Sequence, residues 1–328
     1  MAVYEQQHLR GVKPQPDLVR RREKFPDLGN GAIVGLFLIT IGLSFVFWMR
    51  AQTKEWFSKE GFLTGKVVFW KNEEKVETGP RFEIAQMEEE IEKIVSGLKG
   101  KYAIYFKSLM SGDEWGRGEE EKMEAASMIK VPIILTLYKK AEVGELAMAS
   151  EYVLEDKDKV AGAGGMVYKQ PGTVYTYKEM ARLMGKSSDN TAANVLGRIV
   201  GVGSVQKTID DLGMKGTSFS ENETTAKDVG QMFEKLYRGE VVSGEATEEI
   251  LSLMTQTDFE ERIPKGVPEG VRVAHKIGTE KQVIADGGIV YGKNSYILVI
   301  LSDGVLETEA LKALPEISGI VWEVVNAE

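Results

Sequence analysis

In "MEAASMIKVPIILTLYKK", Met123 to Lys140, a single lysine, Lys130, interrupts a run that is apolar nearly all round, three residues after Ser127. Such a run describes a buried helix, and a buried ammonium is costly unless something pairs with it. Residues three apart share one helical face. A serine hydroxyl is a weak nucleophile until a base takes its proton, and a lysine serves as that base once its pKa is lowered. Burial, a second cation nearby and the positive end of a helix would each lower it. The chemistry on offer is attack of Ser127 on an acyl carbon with Lys130 as the base.

Ser-x-x-Lys alone carries little weight, because it occurs three times: Ser127/Lys130, Ser96/Lys99 and Ser204/Lys207. Ser96/Lys99 lies in "SGLKG" at a glycine-flanked helix end, where lysine is ordinary, and Ser204/Lys207 opens a polar helix. Two further stretches join the first. "SSDN" (187–190) reads as a helix start, with Asp189 or Ser188 suited to the N-cap. "HKIG" (275–278) falls inside a strand.

Composition excludes competing chemistries. With no cysteine there is no thiol nucleophile, disulfide or thiolate metal site. The only histidines are His8 and His275, without an H-E-x-x-H pair, so a Ser-His-Asp triad would depend on His275 alone. No metal or organic cofactor is implied. A net charge of −9 without a basic, aromatic-interleaved stripe argues against nucleic acid as a partner.

The positioning elements follow from periodicity. Residues 31–49, "GAIVGLFLITIGLSFVFWM", hold no charge over 19 positions; at 1.5 Å per residue they span roughly 28 Å, enough for a transmembrane anchor. Six basic residues precede the segment and four follow closely, which puts the N-terminus in the cytoplasm and the rest outside. Residues 1–30 read as a disordered tail and 50–80 as a linker, leaving a catalytic domain over 81–328. Within it we expect a helix through Ile84 to Leu98, a strand at 101–109 and a helical block over about 126–240. Strands at 271–279, 285–292 and 294–302 follow, and a last helix over about 309–325 kinked at Pro315.

Ser-x-x-Lys, Ser-Asp-Asn and Lys-x-Gly, in this order and in helix, helix-start and strand contexts, form the set of penicillin-recognising serine enzymes. Together with "GTVYTYKEMARLMGKSSDNTAANVL" (172–196), "IDDLGMKGTSF" (209–219) and "AHKIGT" (274–279), the chain resembles class A β-lactamases and penicillin-binding proteins over about residues 82–326. The resemblance implies an α+β, β-lactamase/transpeptidase-like fold: an antiparallel sheet flanked by helices with an all-helical subdomain. It implies Ser127 as acylated nucleophile, Lys130 as its base or proton relay, and Ser188 as proton donor to the leaving nitrogen. Asn190, Lys276, Gly278 and Thr279 become substrate-binding residues, with the N–H groups of Ser127 and Thr279 as an oxyanion hole.

Two departures stand out. The E-x-x-L-N loop that supplies the deacylating glutamate in class A β-lactamases is missing, with Glu221 and Glu223 as the nearest acids. Ile277 stands where the family usually has a hydroxyl, which Thr279 could replace. The expectation is thus a membrane-anchored extracytoplasmic serine hydrolase acting on β-lactams or related amides. A D-alanyl-D-alanine peptidase acting on peptidoglycan stem peptides is the alternative, and a catalytically idle cell-surface binding domain is the alternative of another class.

Overall fold

The structure, a computed structural model, describes residues 82–326. The expected tail, anchor and linker, and His8, lie outside these residues. Among the described residues no helix is long and apolar enough to cross a membrane.

The described residues open with α1 (Ile84–Val95), which buries Met87, Ile91 and Val95, one residue per turn. The chain then forms β1 (Lys101–Ser108), β2 (Glu114–Arg117) and the two-residue β3 (Met123–Glu124). A 3-10 turn at Ala126–Ile129 leads into α2 (Lys130–Glu142). After the small hairpin β4 (Glu151–Val153) and β5 (Val174–Thr176) come α3 (Tyr177–Lys186), α4 (Asn190–Val200) and α5 (Val202–Asp211). Then follow β6 (Glu223–Thr224), α6 (Ala226–Tyr237) and α7 (Gly244–Leu253). The chain ends with β7 (Val273–Glu280), β8 (Val283–Val290), β9 (Tyr296–Asp303) and α8 (Glu307–Asn326).

The five long strands make one sheet in the order β2-β1-β9-β8-β7, antiparallel at every pairing. Its central strands are apolar at successive positions because both faces are covered. From β1 and β9, Ala103, Tyr105, Ile297, Val299 and Leu301 enter the core under the helical block. Their neighbours Tyr102, Ile104, Phe106, Leu298 and Ile300 enter a second core under α1 and α8. Strand alternation thus assigns the two faces. The terminal elements share the sheet and the helices α2 to α7 lie between them in sequence.

Three details differ from expectation. α8 continues through Pro315 without a break. β2 to β6 and α7 have no counterpart in the periodicity; α7 is announced only by Ser243, whose hydroxyl caps it by accepting from Ala246 N. The hairpin between β8 and β9 turns over residues 291–295, wider than the Gly-Lys-Asn signal alone requires.

Candidate active site

Ser127 lies in the 3-10 turn that joins β3 to α2, and Lys130 is the first residue of α2. The turn is strained: Ala126 has φ 45°, a left-handed backbone that a side chain disfavours. Two contacts hold it. Ala125 N donates to Asn222 O at 2.7 Å, and the turn rests on β7 where Gly278 has no side chain. A Cβ there would stand 3.1 Å from Ala125 O and 3.3 Å from Met128 Cγ. The visible work of Gly278 is thus to let the turn that carries Ser127 approach the strand.

"SSDN" closes over Lys130 from the other side. Asp189 caps α4, its carboxylate accepting from Ala192 N at 2.8 Å and from Met166 N at 2.9 Å. Ser188 is fully buried with φ 53° and presents two oxygens to Lys130: Nζ donates to Ser188 O at 2.5 Å, lies 3.2 Å from Ser188 Oγ, and donates to Asn190 Oδ1 at 2.6 Å. Lys276, on β7, reaches the same hydroxyl, with Nζ 2.8 Å from Ser188 Oγ and 3.1 Å from Ile277 O. Two amines therefore share one hydroxyl, a chain through which a proton can pass. The partner of the interrupting lysine is this cluster.

Ser127, Lys130, Ser188, Asn190, Ile277 and Thr279 all line one cleft of about 1020 Å³. Lys276 lies directly behind Ser188. The three motif stretches thus converge. Burial pushes the Lys130 ammonium down to about 8, with Asp189 pulling the other way. Burial, then the charge of Lys130, hold Lys276 well below the ordinary lysine range, against the pull of Asp286. The other two Ser-x-x-Lys pairs are elsewhere: Ser96 ends α1, and Lys207 is exposed and pairs with Asp211 at 2.7 Å. His275 belongs to the strand's far side, its Nδ1 2.8 Å from Asp286.

The residues between α5 and α6 run from 212 to 225 and include β6, which pairs with β3. Of this loop, Phe219 and Asn222 line the cleft. Glu221 is exposed and Glu223 is 3.5 Å from Lys122, and neither belongs to the cleft lining.

Two contributors were not read from the sequence. The glycine run 162–165 lets residues 160–166 cover "SSDN": a Cβ on Gly162 would lie 2.5 Å from Asn190 Nδ2, and one on Gly164 2.2 Å from Asp189 Oδ2. "AGAGG" was the available signal, since glycines at close approaches are what it encodes. Arg262 is the second. It is buried at the cleft and donates to Gly278 O at 2.9 Å, Ala285 O at 2.6 Å and Thr279 Oγ1 at 2.6 Å. It supplies a fixed positive charge beside Ile277, and nothing in its surrounding sequence, "FEERIPKG", announces it.

Solved structures share the fold. A beta-lactamase from Sphaerobacter thermophilus superposes with a TM-score of 0.70, 22% identity, and coverage of 75% of this chain and 98% of its own. PBP-A does so at 0.69, 24% identity, and coverage of 73% and 96%. A PBP-A variant, solved as its acyl-enzyme complex with penicillin G, gives 0.67 at 24% identity with the same coverage. No curated protein matches the sequence. The fold is the β-lactamase/transpeptidase-like α+β arrangement. The profile of the beta-lactamase enzyme family matches residues 86–325, and the chain belongs to that family.

Proposed function

We propose that this chain is a membrane-anchored, extracytoplasmic serine hydrolase that forms an acyl-Ser127 intermediate on β-lactams or related amides. The observation that carries the reading is the shared approach of two buried amines, Lys130 and Lys276, to Ser188 Oγ beside the cleft onto which Ser127 opens. Neutral Lys130 takes the proton from Ser127 Oγ as that oxygen bonds to the carbonyl carbon. The N–H groups of Ser127 and Thr279 hold the resulting oxyanion. As the C–N bond breaks, Ser188 Oγ gives its proton to the leaving nitrogen and recovers one from Lys130. Asn190 orients the substrate amide, while Lys276 and Arg262 favour an anionic substrate group. Water then releases the acyl group.

A second reading, a penicillin-binding D-alanyl-D-alanine peptidase, is favoured by the cleft wall next to Ser127. Among the described residues, the 212–225 loop contributes Phe219 and Asn222 there and no carboxylate to activate the deacylating water. Labelling the full-length protein with a fluorescent penicillin separates the readings. Label that depends on Ser127 and is lost within seconds supports the β-lactamase; label that persists for hours supports the peptidase. Folded protein that never labels favours a catalytically idle surface-binding domain or a hydrolase of a different substrate. The anchor, residues 31–49, is tested by fractionation: recovery of the intact chain in the soluble fraction would refute it.

A further inference from the structure

The segment 257–263 crosses the outer side of β7 and β8 and carries Phe259, Glu261 and Arg262 into the cleft wall. What fastens it is a cluster that the proposed chemistry does not use. His275 is fully buried. Its Nδ1 lies 2.8 and 3.0 Å from the two oxygens of Asp286, which is also fully buried. Its Nε2 lies 3.2 Å from Glu260 Oε1 and 3.1 Å from Thr257 Oγ1. Ionised carboxylates only accept, so each ring nitrogen that faces one must carry a proton. A neutral imidazole could satisfy one side and would turn a lone pair toward the other carboxylate. The doubly protonated ring satisfies both.

The cluster holds the strap on either side of Arg262. Glu260 Oε1 also accepts from Thr257 N at 2.6 Å and from Thr257 Oγ1 at 3.0 Å. Asp286 accepts from Ile263 N at 3.0 Å and from Gly287 N at 2.9 Å. Arg262 sits between these fastenings. Of the charged groups beyond the cluster, Lys276, the neighbour of His275 on β7, interacts with Asp286 and with Arg262. Lys186, at the end of α3, bonds the Thr255 carbonyl and bears on Glu260.

We propose that His275 is a positioning residue: as an imidazolium clamped between Asp286 and Glu260, it fastens the strap 257–263 across β7–β8 and thereby sets Arg262 and the cleft wall for substrate binding. The assignment to substrate binding rests on the proposed function; the clamp does not. Burial works against the charge, and Asp286 and then Glu260 outweigh it, raising the ring to about 9. The clamp is therefore closed at neutral pH and opens as pH rises through about 9.

The full-length protein tests both parts. With two histidines in the chain, 15N-histidine NMR resolves each ring, and the His275→Gln variant identifies which is which. We expect both His275 nitrogens to be protonated at pH 7. An unprotonated nitrogen there overturns the clamp. In His275→Gln, and in Glu260→Gln, whose side chain is partly exposed and so spares the fold, hydrogen exchange at the Ile263 N–H should quicken at pH 7. Unchanged exchange in both variants also overturns it. Saturation kinetics of penicillin labelling read the consequence. The variants should raise the half-saturating concentration about tenfold while the limiting rate stays within about threefold. In wild type the same concentration should climb between pH 8 and 10, where His275→Gln stays flat. A loss confined to the limiting rate, or no change, refutes the positioning role. If wild type does not label at all, the β-lactam reading fails while the NMR and exchange results still decide the clamp.

Discussion

The base in the proposed acylation is Lys130, and its protonation sets a pH profile that can be worked out in advance. A lysine at its ordinary pKa of 10.5 is neutral in roughly one molecule in three thousand at pH 7; one at about 8 is neutral in roughly one in eleven. Burial of Nζ therefore raises the fraction of competent base about 300-fold, which corresponds to about 3 kcal/mol. Acylation at saturating penicillin should rise about tenfold from pH 6 to pH 7 and level off above about 8. Because Lys276 shares Ser188 Oγ, the inflection belongs to the pair of amines, and not to Lys130 alone. Rapid-quench labelling with a fluorescent penicillin, against a Ser127→Ala blank, measures the profile. Asp189 is the charge that favours the Lys130 ammonium, so Asp189→Asn, which can still cap α4, should move the inflection to lower pH. A rate that is flat or falling between pH 6 and 8 refutes the assignment. So does Lys130→Arg labelling at wild-type speed, since a guanidinium cannot give up its charge.

Lys99→Ala and Lys207→Ala should label as fast as wild type, whereas Lys130→Ala should not label; equal damage from all three would break the assignment of the site. Asp189→Ala removes a helix cap and strands the Met166 N–H, so urea denaturation should show a loss of roughly 2–4 kcal/mol. Gly164→Ala places a Cβ 2.2 Å from Asp189 Oδ2 at φ 94°, and should cost both stability and labelling; a neutral outcome would mean that residues 160–166 are not packed on "SSDN". His275 has a folded-state pKa of about 9, above its unfolded value of about 6.5, so its contribution is complete below 6.5 and is lost as pH rises through 9. The stability gap between wild type and His275→Gln, followed by thermal melts, should therefore narrow by about 3 kcal/mol over that range; a gap that widens with pH refutes the buried imidazolium.

The sequence made legible those features that follow local rules and those that break them. Period-2 and period-3.6 patterns located four of the five sheet strands and the terminal helices, because alternate residues of β1, β8 and β9 feed two different cores. Lys130 was legible for the opposite reason, since a charge in an apolar helix demands a partner. Arg262, Phe259 and the Glu260–His275–Asp286 cluster were not. Arg262, Phe259 and Glu260 lie on an irregular segment whose bonds go to β7 and β8, which follow it in the chain, and neither periodicity nor spacing encodes a turn of that kind. α7 escaped because its buried positions include Thr247 and Ala246, too weakly apolar to mark a face.

The same contrast says where the fold carries its strain. Non-glycine residues with left-handed backbone among those described are Ala126, Ser188, Asn222, Gln256 and Gln282. The first three line the cleft: one precedes Ser127, one gives both its oxygens to Lys130, and one accepts from Ala125 N. Each such conformation costs on the order of 1–3 kcal/mol and persists only where the surroundings over-determine it. Burying two amines within reach of one hydroxyl adds a further cost, because each disfavours the other's charge. A sequence selected for stability alone has no reason to keep these features together on three separated stretches. Three of the five strained residues line one cleft and both depressed lysines meet at Ser188 on its wall, which is where the proposed chemistry is performed.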